Sequence, residues 1–346
     1  FQAEDGIRDF CLSRGLGDVY KRQIKSIAEN RGFIFKKFTF ETSGKYSVKD
    51  SMFNHRDISH YNTLHAKMAK NMKHEVIYQG TSTTTFMRYY EFMFVSIPMI
   101  AQLIDTKDNQ IIEVFSSMFF QFIKVNTEHK IDEDNTRSVL EFYVGSKSKI
   151  ALMIASPFIK RVVKVSFDDY LNEDVPYMEL RGKLRKQGYQ LTKDVEKFTH
   201  FDTSKLLTKN INLSKKIKLP NEITLNVQEF EENKILKLGE VSAFGFQILK
   251  EKNILKVYPR LCPHEAGCLD IDNEYGGGFK VKDVIDKQQI KCTVHNRRFK
   301  SIVDIDLLKP DQTYETNFYK FTLRNQKLLI NYKEINDINI DQDWTS

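Results

Sequence analysis

Two short stretches gather most of the chain's metal-binding side chains. CPHEAGC, residues 262–268, separates Cys262 from His264 by one residue, and CTVH, residues 292–295, separates Cys292 from His295 by two. The chain has four cysteines, and the three that follow Cys11 all lie in these stretches. An odd group so close together is no disulfide framework for 346 residues, and it reads as metal chemistry. Thiolates stabilise ferric iron, whereas neutral imidazoles remove negative charge from a cluster and raise its potential. Two of each suit a one-electron iron–sulfur carrier. Zinc takes the same donors, but its structural boxes space paired ligands by two or more residues, and C-x-H is tight for that. Metal-free packing would explain each residue singly and not the two boxes together.

A second group stands near the start of the chain. DISHYNTLH places Asp57, His60 and His65 in the pattern D-x-x-H-x-x-x-x-H. Histidines five apart do not share a face of an ideal α-helix, so convergence on one ion calls for a distorted helix or a π-bulge. Acidic residues recur later in FDDYLNEDVPYMELR, which holds Asp168, Asp169, Glu173 and Asp174. The plainer alternative makes His60 and His65 ordinary residues of a ligand-binding domain. Solvated or packing roles suit His55, His74, His129 and His200.

LCPHEAG and CTVHNRRF resemble the two ligand boxes of Rieske [2Fe-2S] proteins, over roughly residues 224–332. That resemblance implies that Cys262 and Cys292 hold the inner iron, and His264 and His295 the outer one. The gap from His264 to Cys292 is longer than the family's, and Asn296 stands where a glycine is expected. Cys268 has no second-box partner for the disulfide of respiratory Rieske proteins, so it reads as a packing residue. The Asp57, His60, His65 pattern is similar to the mononuclear iron motif of Rieske oxygenases, whose catalytic domain is a sheet gripping a long helix. The resemblance implies Fe(II) held by His60, His65 and a carboxylate from the late helix. Asp174 is preferred there, with Glu173, Asp169 and Asp168 as weaker choices. Asp57 would be the electron bridge between a cluster histidine and His60. Familiar Rieske oxygenases carry the cluster domain first, and here the order is reversed. Phe53 also stands where an acidic or amide residue is expected.

These residues need elements to position them. Period-two alternation marks strands at 75–79, 85–93, 110–116, 120–128 and 136–144, which short turns would join into an antiparallel curved sheet. A helical pattern follows from Lys149, ended by Gly188 and interrupted by Pro157 and Pro176. The expected fold class is therefore α+β, with a SRPBCC/START-like helix-grip domain over 24–200 and a cavity between sheet and helix. Residues 201–223 read as a linker, 224–332 as an all-β Rieske domain and 333–346 as a polar tail. RNQK, residues 324–327, reads as a hairpin turn. Residues 1–23 resemble translated sequencing adapter and are set aside, which implies that the native start, with any targeting peptide, is missing.

The net charge of +7 mildly favours acidic partners, but the basic residues are scattered, which argues against nucleic acid. The most apolar stretch, residues 89–104, contains Glu91, Pro98 and Gln102 and falls short of an integral membrane span. A cytoplasmic location is favoured. The functional expectation is an oxygenase that takes electrons from a reductase or ferredoxin and oxidises an apolar small molecule, with a homo-oligomer implied by resemblance. The alternative is a Rieske electron-transfer protein fused to a hydrophobic-ligand-binding domain without mononuclear iron.

Overall fold

A computed structural model of the chain describes residues 16–62, 64–65, 72–80, 82–92, 95–106, 109–116, 119–186, 222–241, 245–262, 267–270, 285–286, 289–292, 294–295, 298–309, 311–315 and 319–332. His264, Gly188, most of the expected linker and the expected polar tail lie outside the described residues. The chain divides into two compact units, Phe1–Gly182 with Lys193–His200 and Lys183–Thr192 with Phe201–Ser346.

In the first unit, helix α1 (Leu16–Glu29) is followed by strand β1 (Ile34–Gly44), helix α2 (Val48–Arg56) and a 3-10 turn (Ile58–Asn62). Strands β2 (Met72–Gln79), β3 (Thr83–Phe92), β4 (Val95–Asp105), β5 (Gln110–Ser116), β6 (Gln121–Lys130) and β7 (Thr136–Ser146) come next. Helix α3 (Lys149–Asp169), a π-helical turn (Tyr170–Asp174) and helix α4 (Val175–Lys186) close the unit. The seven strands form one antiparallel sheet in the order β1-β7-β6-β5-β4-β3-β2.

Opposite residues in antiparallel strands share a face, so the register assigns both faces. One face carries Leu140, Phe142 and Val144, which pack with Leu152, Ile159 and Val163 of α3. On the same face Phe86, Ala101, Leu103 and Ile111 pack with Met52 of α2 and Ile58 of the 3-10 turn. This is the gripping face. Ile112, Ile123, Val125 and Tyr143 point the other way and meet Ile24 of α1. The α1 helix thus runs across residue 23, the boundary drawn by the adapter resemblance.

Strands β1 and β4 add to the five expected. In β4, Ile100 is exposed while Ala101 and Leu103 are buried, so a chain apolar on both faces lacks the alternation that betrays a strand. The α3 helix also continues through Pro157 where an interruption was expected. Proline's missing N–H would have served the carbonyl of Met153, on the exposed side of the helix, where water can take its place.

Beyond the last turn of α4, the second unit is all β among its described residues, apart from a 3-10 turn (Val227–Glu229). Strands β8 (Glu222–Asn226), β9 (Ile235–Leu238), β10 (Phe246–Glu251) and β11 (Ile254–Pro259) precede the short strands β12 (Ile285–Asp286), β13 (Gln289–Lys291) and β14 (Arg298–Phe299). They are followed by β15 (Val303–Asp306), β16 (Gln312–Glu315), β17 (Tyr319–Arg324) and β18 (Lys327–Tyr332). Two four-stranded sheets, β15-β11-β10-β9 and β16-β17-β18-β8, share one core of Phe246, Ile248, Leu255, Ile305, Phe321 and Ile330. Asn325 and Gln326, at φ 49° and 58°, make the tight β17–β18 turn, since both central residues of such a hairpin turn need positive φ. Among the described residues no helix is long and apolar enough to cross a membrane.

Candidate metal centres

His60 Nε2 lies 3.3 Å from Asp174 Oδ1, and His65 Nε2 lies 3.6 Å from the same oxygen. The three ligand atoms fall within 4.8 Å of one another. Two donors each about 2.1 Å from an ion, at angles between octahedral and tetrahedral, stand about 3.0–3.4 Å apart, so the His60–Asp174 spacing matches a shared cation and the His65–Asp174 spacing lies slightly above that range. Asp174 Oδ1 is buried and makes no hydrogen bond to the described residues, as expected of an oxygen directed at an ion.

Each histidine turns its other nitrogen to a second carboxylate. His65 Nδ1 hydrogen-bonds Glu173 Oε2 at 2.8 Å, and His60 Nδ1 lies 3.7 Å from Asp57 Oδ2, an ion-pair distance. All of these side chains are buried or nearly so. Burial opposes a charge on His60, but the Asp174 and Asp57 carboxylates outweigh it and hold the imidazolium pKa up at about 9. Burial likewise favours a neutral Asp174, yet His65 and His60 keep its carboxyl well below the usual range. The pocket thus favours positive charge between the imidazoles and the carboxylate, which a divalent cation would supply more compactly than a proton.

Local backbone accounts for the convergence. The 3-10 turn ends at Asn62, and Leu64 N donates to His60 O at 2.8 Å before the chain leaves the helix at His65. The two histidines therefore meet across a turn and a break, with no regular helix between them. The π-helical distortion lies on the partner element. Val175 N–H reaches back to Tyr170 O, five residues away. Pro176 next in the chain has no N–H to offer the carbonyl of Asn172, so the α-helical ladder cannot continue through it. The wider turn carries Glu173 and Asp174 as buried neighbours directed at different atoms of one imidazole. Asp169 is buried outside the triad, and Asp168 is half-buried and pairs with Lys164.

Beside the triad the gripping face is charged. Tyr61 packs edge-on against His60, His65 and His74, with ring centroids 4.7, 5.3 and 5.2 Å away. His74 Nε2 accepts from Arg88 Nε at 3.0 Å, and Arg88 Nη2 donates to Glu113, which also faces Lys124 at 3.7 Å. Burial and the Arg88 charge push the His74 pKa down to about 2, so the imidazole stays neutral. Deeper on the same face, Glu128 is met by His55, Asn126 and Ser138. Nothing in the linear pattern pointed to these networks, because their members come from several strands and from α2 and meet only in the fold.

In the second unit antiparallel pairing flanks both cysteine boxes. Leu261 and Cys268 form an antiparallel bridge, Cys262 N donates to Gly267 O at 2.7 Å, and Arg260 clamps Asp270 with bonds of 2.8 and 2.6 Å. The second box lies between β13 and β14, paired through Ile290↔Phe299 and Lys291↔Arg298. The boxes touch. A Cβ on Gly267 would stand 2.9 Å from Cys292 Sγ and 2.9 Å from Val294 Cγ2, so only glycine admits this approach. The buried Cys292 sulfur accepts from the Cys262 thiol, and that contact, against the opposing effect of burial, lowers its pKa with help from His295 and the N–H groups of His295 and Val294. Thiolate character at Cys292, with a second buried cysteine beside it, fits a metal or cluster ligand pair. His295 is half-buried, and His264 lies outside the described residues. Cys268 is buried, its thiol pKa raised by burial, and its sulfur accepts from Asp270 N at 3.4 Å.

No protein-family profile matches the chain, and no curated protein matches its sequence. Among solved structures, it is similar to a norcoclaurine synthase from Thalictrum flavum bound to dopamine and hydroxybenzaldehyde, at 13% identity over 40% of this chain and 85% of the other, TM-score 0.33. It is similar to a START superfamily protein from Mycobacterium smegmatis at 13% identity, over 37% of this chain and 92% of the other, TM-score 0.28. A quaternary ammonium Rieske monooxygenase matches at 13% identity, over 46% of this chain and 42% of its own, TM-score 0.36. All three scores lie below 0.5, and the functional reading rests on the residues above.

Proposed function

We propose that the protein is a Rieske-type oxygenase that passes electrons from a [2Fe-2S] cluster to a mononuclear ferrous ion and oxidises a small apolar molecule with dioxygen. The observation that supports it is the meeting of His60, His65 and Asp174 in one buried pocket, with an Nε2 of each histidine turned to the same carboxylate oxygen. These three residues would hold Fe(II), and Cys262, His264, Cys292 and His295 the cluster. Bound there, the ferrous ion supplies open positions for dioxygen and the cluster supplies single electrons.

The chain's own residues set the conditions for that chemistry. Asp57 and Glu173 back the two histidines and hold their rings in place. Met52, Ile58, Phe86 and Ala101 wall the gripping face with apolar surface that keeps water from the site. Arg88 donates to both His74 and Glu113, so its charge stands near the triad paired with a carboxylate. The electron donor would be a separate reductase or ferredoxin.

The test is iron and acid-labile sulfide analysis of anaerobically purified protein beside His60→Ala. Three irons and two sulfides per chain, falling to two irons and two sulfides in the variant, are expected from the two proposed ligand sets. Two irons in both proteins would show a cluster carrier without the mononuclear centre. A colourless protein holding zinc would remove the redox reading altogether.

A further inference from the structure

The adjacent residues Glu173 and Asp174 approach one imidazole from opposite edges. Asp174 Oδ1 lies 3.6 Å from His65 Nε2, while Glu173 Oε2 hydrogen-bonds His65 Nδ1 at 2.8 Å. Glu173 is 3% exposed and His65 8%, so water competes little for this bond. A carboxylate accepts and cannot donate, so the shared proton is on Nδ1 and the lone pair of a neutral ring is left on Nε2, the edge facing Asp174 and His60.

We infer that Glu173 is a positioning residue for the proposed metal site: it fixes the tautomer and ring orientation of His65 so that Nε2 is presented as a ligand. The inference rests on the metal reading above and deepens it, for it takes Glu173 out of the candidates for third ligand and gives it a distinct task. The π-helical turn makes the division possible. In a regular α-helix consecutive residues diverge by about 100° and could not both reach one buried ring so readily. The wider turn over Tyr170–Asp174 brings both carboxylates to the same side. Asp57 stands in the corresponding place for His60, but at 3.7 Å its hold is looser.

The test compares Glu173→Gln and Glu173→Ala in the full chain with two measurements. One is Fe(II) affinity by competition with a chromophoric chelator. The other is the His65 tautomer in metal-free, histidine-labelled protein at mildly alkaline pH, read from two-dimensional nitrogen-15 correlation spectra. The parent should show Nδ1–H at His65. Glu173→Gln should keep that tautomer, because the amide carbonyl accepts the same proton, and should retain most of the affinity. Glu173→Ala should lose the tautomer preference and bind Fe(II) about 10- to 100-fold more weakly. An alanine variant that keeps both the tautomer and the parent's affinity overturns the inference. A glutamine variant as weak as alanine also overturns it, since Glu173 would then act as a ligand or a bare charge. If the parent binds no Fe(II) yet the tautomer responds as expected, the orienting role of Glu173 stands and the metal reading alone falls.

Discussion

Lowering the pH from 7.5 to 5 should destabilise the protein through His74, and the cost follows from one buried imidazole. In the folded chain its pKa sits at about 2, against 6.5 for an ordinary histidine, because the ring is buried and Arg88 stands beside it. A folded-state pKa below the unfolded one means that the unfolded chain takes up a proton first. Stability is therefore full above about pH 6.5 and drains away as the pH falls below it. Between pH 6.5 and 5 the unfolded histidine gains about 1.5 pH units of protonation free energy, which at 1.36 kcal/mol per unit comes to about 2 kcal/mol. Other groups contribute in the same range, so the measurement is a difference. Urea unfolding of the parent and of His74→Gln is followed at pH 7.5, 6.5, 5.5 and 5. Glutamine can accept from Arg88 Nε through its carbonyl and does not titrate. The variant should start somewhat less stable and lose about 2 kcal/mol less than the parent on acidification. Parallel stability curves for the two proteins would refute the reasoning, because His74 would then exchange protons equally in both states.

Three further outcomes follow from the same packing. Arg88→Met leaves the buried Glu113 facing Lys124 at 3.7 Å and should cost about 3–5 kcal/mol in urea unfolding, most of which the double variant with Glu113→Leu recovers. Gly267→Ala drives a methyl group into Cys292 Sγ and Val294 and should destabilise the second unit by about 1–3 kcal/mol, with loss of iron and sulfide. Cys268→Ala should leave the iron and sulfide content at the parent's level, and a fall would place its sulfur among the ligands.

Parts of this molecule were legible residue by residue. Strand β7, buried at Thr136, Ser138, Leu140 and Phe142, and the RNQK turn announced themselves because alternation and turn geometry are local properties. Strand β4 did not, since its apolar residues occupy both faces. Pro157 suggested a break and met an unbroken α3, because the carbonyl it leaves without a donor lies on the exposed side. The donors of both proposed centres stood out by type and spacing. The spacing of His60 and His65 called for a distortion, and the fold resolves it with a short turn and an exit from helix, while placing the π-helical distortion on the opposing helix.

The sequence alone determined the inventory: thiols and imidazoles in two boxes, a histidine pair with an aspartate, and alternating strands before a long helix. Those are consequences of side-chain chemistry and of periods only a few residues long. Tertiary structure alone decided that Asp174 meets His60 and His65, that Glu173 takes the other edge of the His65 ring, and that Arg88, Glu113 and His74 close a network across the gripping face. The physical reason is angular. One residue gained or lost in a helical turn rotates every following side chain by about 100°, and one residue of strand register moves a side chain to the opposite face. Which carboxylate faces an imidazole is therefore set by how α3 packs on β7 and where the π-helical turn falls, and composition holds no record of either.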